Sequence, residues 1–125
     1  MKIKCGIDII EISRIKESIE KLGDKFKNKI FTAEEIEYCE SKHAQKYQHY
    51  AARFAAKEAA FKAISEQLED KYDLCWKDYE VISDEKGKPH MNILGTNEEN
   101  IESIDLSLSH CKEYAVANVM ILYKE

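Results

Sequence analysis

The sequence predicts an α+β fold in which an antiparallel sheet packs against one long, alanine-rich helix. Three observations predict it. Helical patterns group early in the chain, and strand patterns fall mostly late. The run 47–68 holds the pairs Ala51-Ala52, Ala55-Ala56 and Ala59-Ala60 without glycine or proline; alanine favours helix and leaves room for a sheet to approach closely. Two β-rich segments near the end are joined only by His110-Cys111-Lys112-Glu113, a link short enough for a hairpin. A length of 125 residues suits a single domain, 1–125.

The elements follow in order. Residues 2–9 alternate loosely and carry β-branched side chains, giving a strand with Asp8 at its end. Ile12, Ile15, Ile19 and Leu22 stand at helical spacing, so a helix runs over 11–22 and closes at Gly23-Asp24. Thr32 and Glu35 have the spacing of a capping box, which opens a helix reaching about Ser41. The long helix covers 47–68. Residues 72–83 form a strand, Asp84-Glu85-Lys86-Gly87-Lys88 a turn and 89–94 the return strand. A polar loop over 96–103 leads to an alternating strand at 104–109, and 114–123 completes the hairpin.

The formal net charge of −5 argues against a nucleic-acid binder. Within 12–32, however, Arg14, Lys16, Lys21, Lys25, Lys27 and Lys29 outnumber Glu17, Glu20 and Asp24. That local excess suits docking of an anionic partner, although a solvated helix face is the plainer alternative. Cys5, Cys39, Cys75 and Cys111 include no C-x-x-C pair, so zinc spacing is absent. Asp8 interrupts the opening where a signal peptide needs a long apolar run, and no 18-residue apolar stretch exists. The expected compartment is the reducing cytosol, with free thiols and no membrane partner.

The candidate chemistry centres on Arg53-Phe54-Ala55-Ala56-Lys57-Glu58-Ala59-Ala60-Phe61-Lys62. On a helix Glu58 and Lys62 are i,i+4 neighbours, and Arg53 and Lys57 form such a pair on an adjoining strip. One surface would carry a carboxylate flanked by three cations, which suits a metal-bound polyphosphate. An ordinary surface pair worth about a few tenths of a kcal/mol is the bland alternative. Asp8, at the end of an apolar strand, is costly there unless exposed or paired with a cation or metal; otherwise it caps the following helix. His110 ends a strand, either as a plain surface residue or as a hydrogen-bond donor to phosphate. Two acids and several cations would also serve another Mg²⁺-dependent phosphate-ester enzyme, such as a phosphohydrolase, and the basic helix a non-catalytic module that binds an acidic protein.

Gly6-Ile7-Asp8 running to Arg14, Phe31-Thr32 with Glu34 or Glu35 and Tyr38-Cys39, Arg53-Phe54-Ala55-Ala56-Lys57-Glu58-Ala59 with Lys62, Gly87-Lys88-Pro89, and Leu108-Ser109-His110 before Tyr114-Ala115 occur in that order. The set resembles the holo-acyl-carrier-protein synthase branch of the 4′-phosphopantetheinyl transferases, from about residue 2 to 122. The resemblance implies transfer of 4′-phosphopantetheine from coenzyme A to a serine of an apo acyl carrier protein, in support of fatty acid biosynthesis. It implies that Asp8 and Glu58 coordinate Mg²⁺ with the coenzyme A pyrophosphate and waters. Lys62 would stabilise or protonate the departing adenosine 3′,5′-bisphosphate, and Glu58 is a candidate general base. Arg53 and His110 would hold phosphates. The Gly87-Lys88-Pro89 turn would approach the adenine, and the Cys111 amide the 3′-phosphate. Lys42 and Lys46 lie where such proteins place 3′-phosphate cations. Arg14, Lys21 and Lys25, near whole helical turns apart, with Phe26 beside them, would dock the acidic carrier. The family also implies a homotrimer with sites at subunit interfaces. Two departures stand out: Ala63-Ile64-Ser65-Glu66-Gln67 replaces a Gly-rich turn, and Cys111 stands where threonine is common.

Overall fold

In the computed structural model, which describes residues 2–64, 76–94 and 100–125, early helices and late strands form the α+β architecture that the sequence pattern implies. The order is β1 (Lys2–Glu11), α1 (Ile12–Leu22), α2 (Asp24–Ile30), α3 (Ala33–Glu40), α4 (Lys46–Ile64), β2 (Tyr79–Ser83), β3 (Pro89–Ile93), β4 (Ile101–His110) and β5 (Tyr114–Tyr123). Strands β1, β5 and β4 make an antiparallel sheet in the order β1-β5-β4, and β2 and β3 pair as a separate antiparallel ribbon.

Period-2 alternation decides which residues of β1 and β5 meet α4. Ile3, Ile7 and Ile9 lie exposed, whereas Gly6 is buried; on β5, Ala115, Ala117, Val119 and Ile121 are buried. Ala117, Val119 and Ile121 share a core with Ala55, Ala56, Ala59, Ala60 and Ala63 of α4 and with Tyr79, Val81, Met91 and Ile93 of the ribbon. A second cluster lies under the early helices: Ile12, Ile15, Ile19, Ile30 and Phe31 pack with Cys39 and Tyr50. The helix approaches β1 so closely that a Cβ on Gly6 would overlap the Ala59 carbonyl oxygen. An alanine-faced helix over a glycine is what permits that distance.

Several boundaries differ from the sequence expectation, each for a physical reason. β1 does not stop at Asp8: β5 is long enough to pair it through Glu11, so Asp8 lies inside the strand opposite Ala117. Asp8 therefore does not cap α1; Glu11 occupies the cap position, without a side-chain cap bond. α1 ends at Gly23, where a φ of 58° suits glycine, but the chain re-enters a helix at once as α2, an element hidden in the polar stretch after Gly23. β2 starts at Tyr79, after a 3₁₀ turn at Trp76–Asp78, and β4 already starts at Ile101, with a register shift between Ile101 and Ser103. The expected helix over 65–68 and strand over 72–75 lie outside the described residues, as does the loop over 96–99.

The capping box is present: the Thr32 amide donates to Glu35 Oε1 at 2.9 Å and the Glu35 amide to Thr32 Oγ1 at 3.3 Å. Its glutamate does more than cap. The Lys57 ammonium donates to Glu35 Oε1 at 2.8 Å, and the Val81 amide to Oε2 at 2.9 Å. Lys57 spends its remaining donors on the carbonyls of Tyr79 (2.6 Å) and Trp76 (3.2 Å). Both charged side chains are 0% exposed. This junction locks α3, α4 and β2 together, and its full hydrogen bonding is what makes a buried ion pair tolerable.

Glu35→Gln or Lys57→Met alone should destabilise the protein by about 3–5 kcal/mol, because each strands the other charge, and the double variant should recover part of the loss. Urea denaturation midpoints measure this; single variants within about 0.5 kcal/mol of wild type would show that the pair does not hold the junction.

Candidate active site

Helix α4 distributes the candidate residues by its 3.6-residue period. Glu58 and Lys62 fall on the strip that faces Ile7 and Asp8 of β1. There the Lys62 ammonium donates to Asp8 Oδ1 at 3.1 Å and to the Ile7 carbonyl at 3.1 Å. Asp8, Glu58 and Lys62 line a cleft of about 410 Å³ together with Arg14, Phe26 and Phe54. Burial, and next the charge of Asp8, push the Glu58 carboxyl above the usual glutamate range, while Lys62 opposes them. Glu58 is thus a carboxylate whose charged form is disfavoured first by burial and then by a nearby like charge, and a bound cation would relieve both.

The strip carrying Arg53 and Lys57 faces elsewhere. Lys57, read from its spacing as one of three cations around Glu58, is instead consumed by the Glu35 junction. Packing of α3 and β2 over that strip turns a presumed surface charge into a structural one. Arg53 is only 2% exposed. Its Nη2 donates to Ser83 Oγ at 3.1 Å, its guanidinium lies 4.1 Å from the Tyr38 ring centroid, and its buried Nε has no hydrogen-bond partner among the described residues.

Arg53, His110, Gly87 and Pro89 line a second cleft of about 360 Å³, with Tyr38 and His49. Burial works against ionisation of Tyr38, yet the Ser83 hydroxyl and the charges of Arg53 and Lys42 hold its phenol below the ordinary value. His49 meets Tyr38 with ring centroids 5.6 Å apart and His110 at 5.7 Å. Burial, then the charges of Arg53, His110 and Lys42, lower its imidazole to about 4. Sequence reasoning missed His49 and Ser83. His49 had one signal, its place four residues before Arg53 on the same helix; Ser83, at the end of a strand, had none.

The remaining sequence candidates divide. The Cys111 amide, offered to a 3′-phosphate by the resemblance, donates to the Tyr114 carbonyl at 2.9 Å and closes the β4–β5 turn, so that donor is already engaged. Lys46 pairs with Glu40 at 3.3 Å, whereas Lys42 lies 4.7 Å from the Tyr38 centroid, beside the second cleft. Arg14 and Lys21 share α1, but the break at Gly23 puts Lys25 and Phe26 on α2. The whole-turn spacing therefore holds only between Arg14 and Lys21, and the rest of the basic surface comes from how two helices meet.

No group of three or more His, Cys, Asp or Glu stands together as a metal site among the described residues. The donor set at the first cleft is Asp8 and Glu58. Two hard carboxylates, one with a raised proton affinity, fit Mg²⁺, whose remaining positions are commonly filled by phosphate and water.

Residues 4–119 match the family model described as the 4′-phosphopantetheinyl transferase superfamily. Curated relatives include the holo-[acyl-carrier-protein] synthase of Ruminiclostridium cellulolyticum, 47% identical over 97% of this chain and 92% of its own. That of Halothermothrix orenii is 43% identical over 92% and 93%. Among solved structures, a holo-(acyl-carrier-protein) synthase from Bacillus anthracis in complex with CoA (3′,5′-ADP) is similar at a TM-score of 0.75 and 37% identity, covering 94% of each chain. The Helicobacter pylori holo-[acyl-carrier-protein] synthase in complex with coenzyme A reaches a TM-score of 0.83 at 29% identity, covering 94% of this chain and 99% of that one.

The depressed imidazole of His49 makes a pH prediction. Between about pH 6.5 and 4 the unfolded chain binds a proton there that the native state refuses, so stability falls as pH falls through that window. His49→Phe should lose less thermal stability than wild type between pH 7 and pH 5. Equal losses in the two proteins would show that His49 does not titrate in this way.

Proposed function

The chain belongs to the 4′-phosphopantetheinyl transferase superfamily, and from that membership we propose that it transfers 4′-phosphopantetheine from coenzyme A to a serine of an apo acyl carrier protein, as one domain spanning 1–125. The observation that carries the assignment to these residues is the meeting of Asp8, Glu58 and Lys62 in a cleft bordered by Arg14 and Phe26. A basic and apolar rim beside two carboxylates and a lysine suits an acidic carrier presenting a serine to a pyrophosphate. A hydrolase would have no use for that rim.

Asp8 and Glu58 would hold Mg²⁺. Bound there, the ion supplies positive charge against the pyrophosphate oxygens. The serine oxygen attacks the β-phosphorus, a new P–O bond forms, and the bond to adenosine 3′,5′-bisphosphate breaks. Glu58 is the candidate general base for the serine proton. Lys62, braced by Asp8 and the Ile7 carbonyl, stabilises the departing phosphate or gives it a proton. Arg53 and His110 hold phosphates of coenzyme A in the second cleft, and the turn at Gly87 and Pro89 receives the adenine. Arg14, Lys21, Lys25 and Phe26 receive the carrier, with an attraction that weakens as salt rises.

The two clefts share no described lining residue, although one coenzyme A must reach both the acids and the nucleotide-binding groups. This supports a homotrimer in which one subunit supplies Asp8, Glu58 and Lys62 and its neighbour supplies Arg53 and His110. The outer face of β1 supports the same assembly. Ile3, Ile7 and Ile9 are 66%, 62% and 65% exposed, and Met120 lies opposite Cys5 on β5; such an apolar stripe favours burial against another subunit. Free Cys5, Cys39 and Cys111 suit a cytoplasmic enzyme serving fatty acid biosynthesis.

Intact mass measurement of an apo acyl carrier protein, incubated with this protein, coenzyme A and Mg²⁺, should show the gain of one phosphopantetheine. EDTA should abolish the gain, and Glu58→Gln should slow it by about 10²–10³-fold, the scale of losing one transition-state charge partner. No gain with several carriers, from folded protein, would overturn the assignment.

The shared site has its own check. Glu58→Gln and His110→Ala should each be weakly active alone. Mixed and reassembled in equal amounts, they should recover roughly a quarter of the sites, since each shared site draws its halves from two subunits. Recovery no greater than the sum of the separate variants would place the whole site within one subunit.

A further inference from the structure

Assigning the second cleft to coenzyme A leaves one of its groups without a role, and the inference here rests on that assignment. His49 and Arg53, one helical turn apart on α4, share a strip. A continuous stack links them to the rest of the cleft. The Arg53 guanidinium lies 4.1 Å from the Tyr38 centroid. The Tyr38 ring meets His49 edge-on at 5.6 Å and 78°. The far side of the stack is His110, 5.7 Å from His49 at an interplanar angle of 65°.

Three elements converge here: α3 brings Tyr38, α4 brings His49 and Arg53, and His110 is the last residue of β4. His110 is exposed, so a strand-end backbone by itself leaves its ring free to rotate. Edge-to-face aromatic packing is directional and restricts such rotation. We propose that His49 is a positioning residue: its ring holds His110, and through Tyr38 also Arg53, in the orientation that receives the phosphates of coenzyme A. Its charge state suits the task. Burial, Arg53, His110 and Lys42 hold the imidazole at about 4, so near neutral pH an uncharged ring separates the groups that face phosphate, adding no like charge between them.

The test uses the full chain. Calorimetry first measures coenzyme A binding by wild type, and carrier modification then gives the kinetic constants. His49→Ala should raise KM for coenzyme A about three- to tenfold, the scale of losing an aromatic pair, and leave kcat within about twofold, the signature of lost uniform binding. His49→Phe keeps a ring without an ionisable group and should restore KM. The His110 Cε1 proton resonance should move in His49→Ala and return in His49→Phe. A wild-type KM in His49→Ala, or a raised KM that Phe does not rescue while both variants melt like wild type, would overturn the positioning role alone. Failure of wild type to bind coenzyme A would overturn the functional assignment and this role with it.

Discussion

The close approach of α4 to β1 governs most of the molecule. Gly6 has no Cβ to meet the Ala59 carbonyl, and the alanines of α4 let the helix sit low on Ala117 and Val119. That spacing places Asp8, inside the strand, within 3.1 Å of Lys62 one helical strip away. A bulkier residue at either surface would raise the helix and separate the two carboxylates from each other and from the lysine. Packing at interior density transmits such a displacement rather than absorbing it. The geometry of the proposed site is thus a consequence of small residues in the core.

Electrostatics divides the charged residues of α4 by what covers them. Lys57 and Glu35 are sealed and mutually satisfied, and they serve the fold. Glu58 keeps an open side and a raised proton affinity. Arg53 is nearly as buried as Lys57, yet among the described residues Ser83 and the Tyr38 ring meet its guanidinium and its Nε has no partner. A buried charge with so little compensation is expensive. Anionic phosphate in the adjoining cleft would offset that cost, which connects the energetics of the cleft to the ligand it suits.

The proposed assembly would let so small a chain reach both ends of coenzyme A. One cleft offers acids and a lysine, the other a guanidinium, imidazoles and a turn, and they open between different elements. In the proposed trimer, the apolar outer face of β1 would bring the cleft of one subunit to that of another. Small domains bury a modest share of their surface, so the proposed association through this face would serve stability and catalysis together.

Patterns that act locally were legible in the chain. The alternation over 104–109, the β-rich run of β5, the Thr32–Glu35 capping box, the turn at Gly87 and the i,i+4 relation of Glu58 to Lys62 all follow from local pattern and propensity. Together with ordered motifs they identified the family and the first cleft. What needed the fold was whatever depends on a neighbour distant in sequence. Helical spacing placed Lys57 on a strip but could not say that Glu35 and Val81 would cover it. It placed Lys25 on the face of Arg14, although Gly23 breaks the helix between them. It gave no reason to join Tyr38, His49 and His110, which three separate elements bring together. A sequence fixes the angle of each side chain about its own axis; only packing decides what stands opposite, and therefore which charges are structural and which remain available for chemistry.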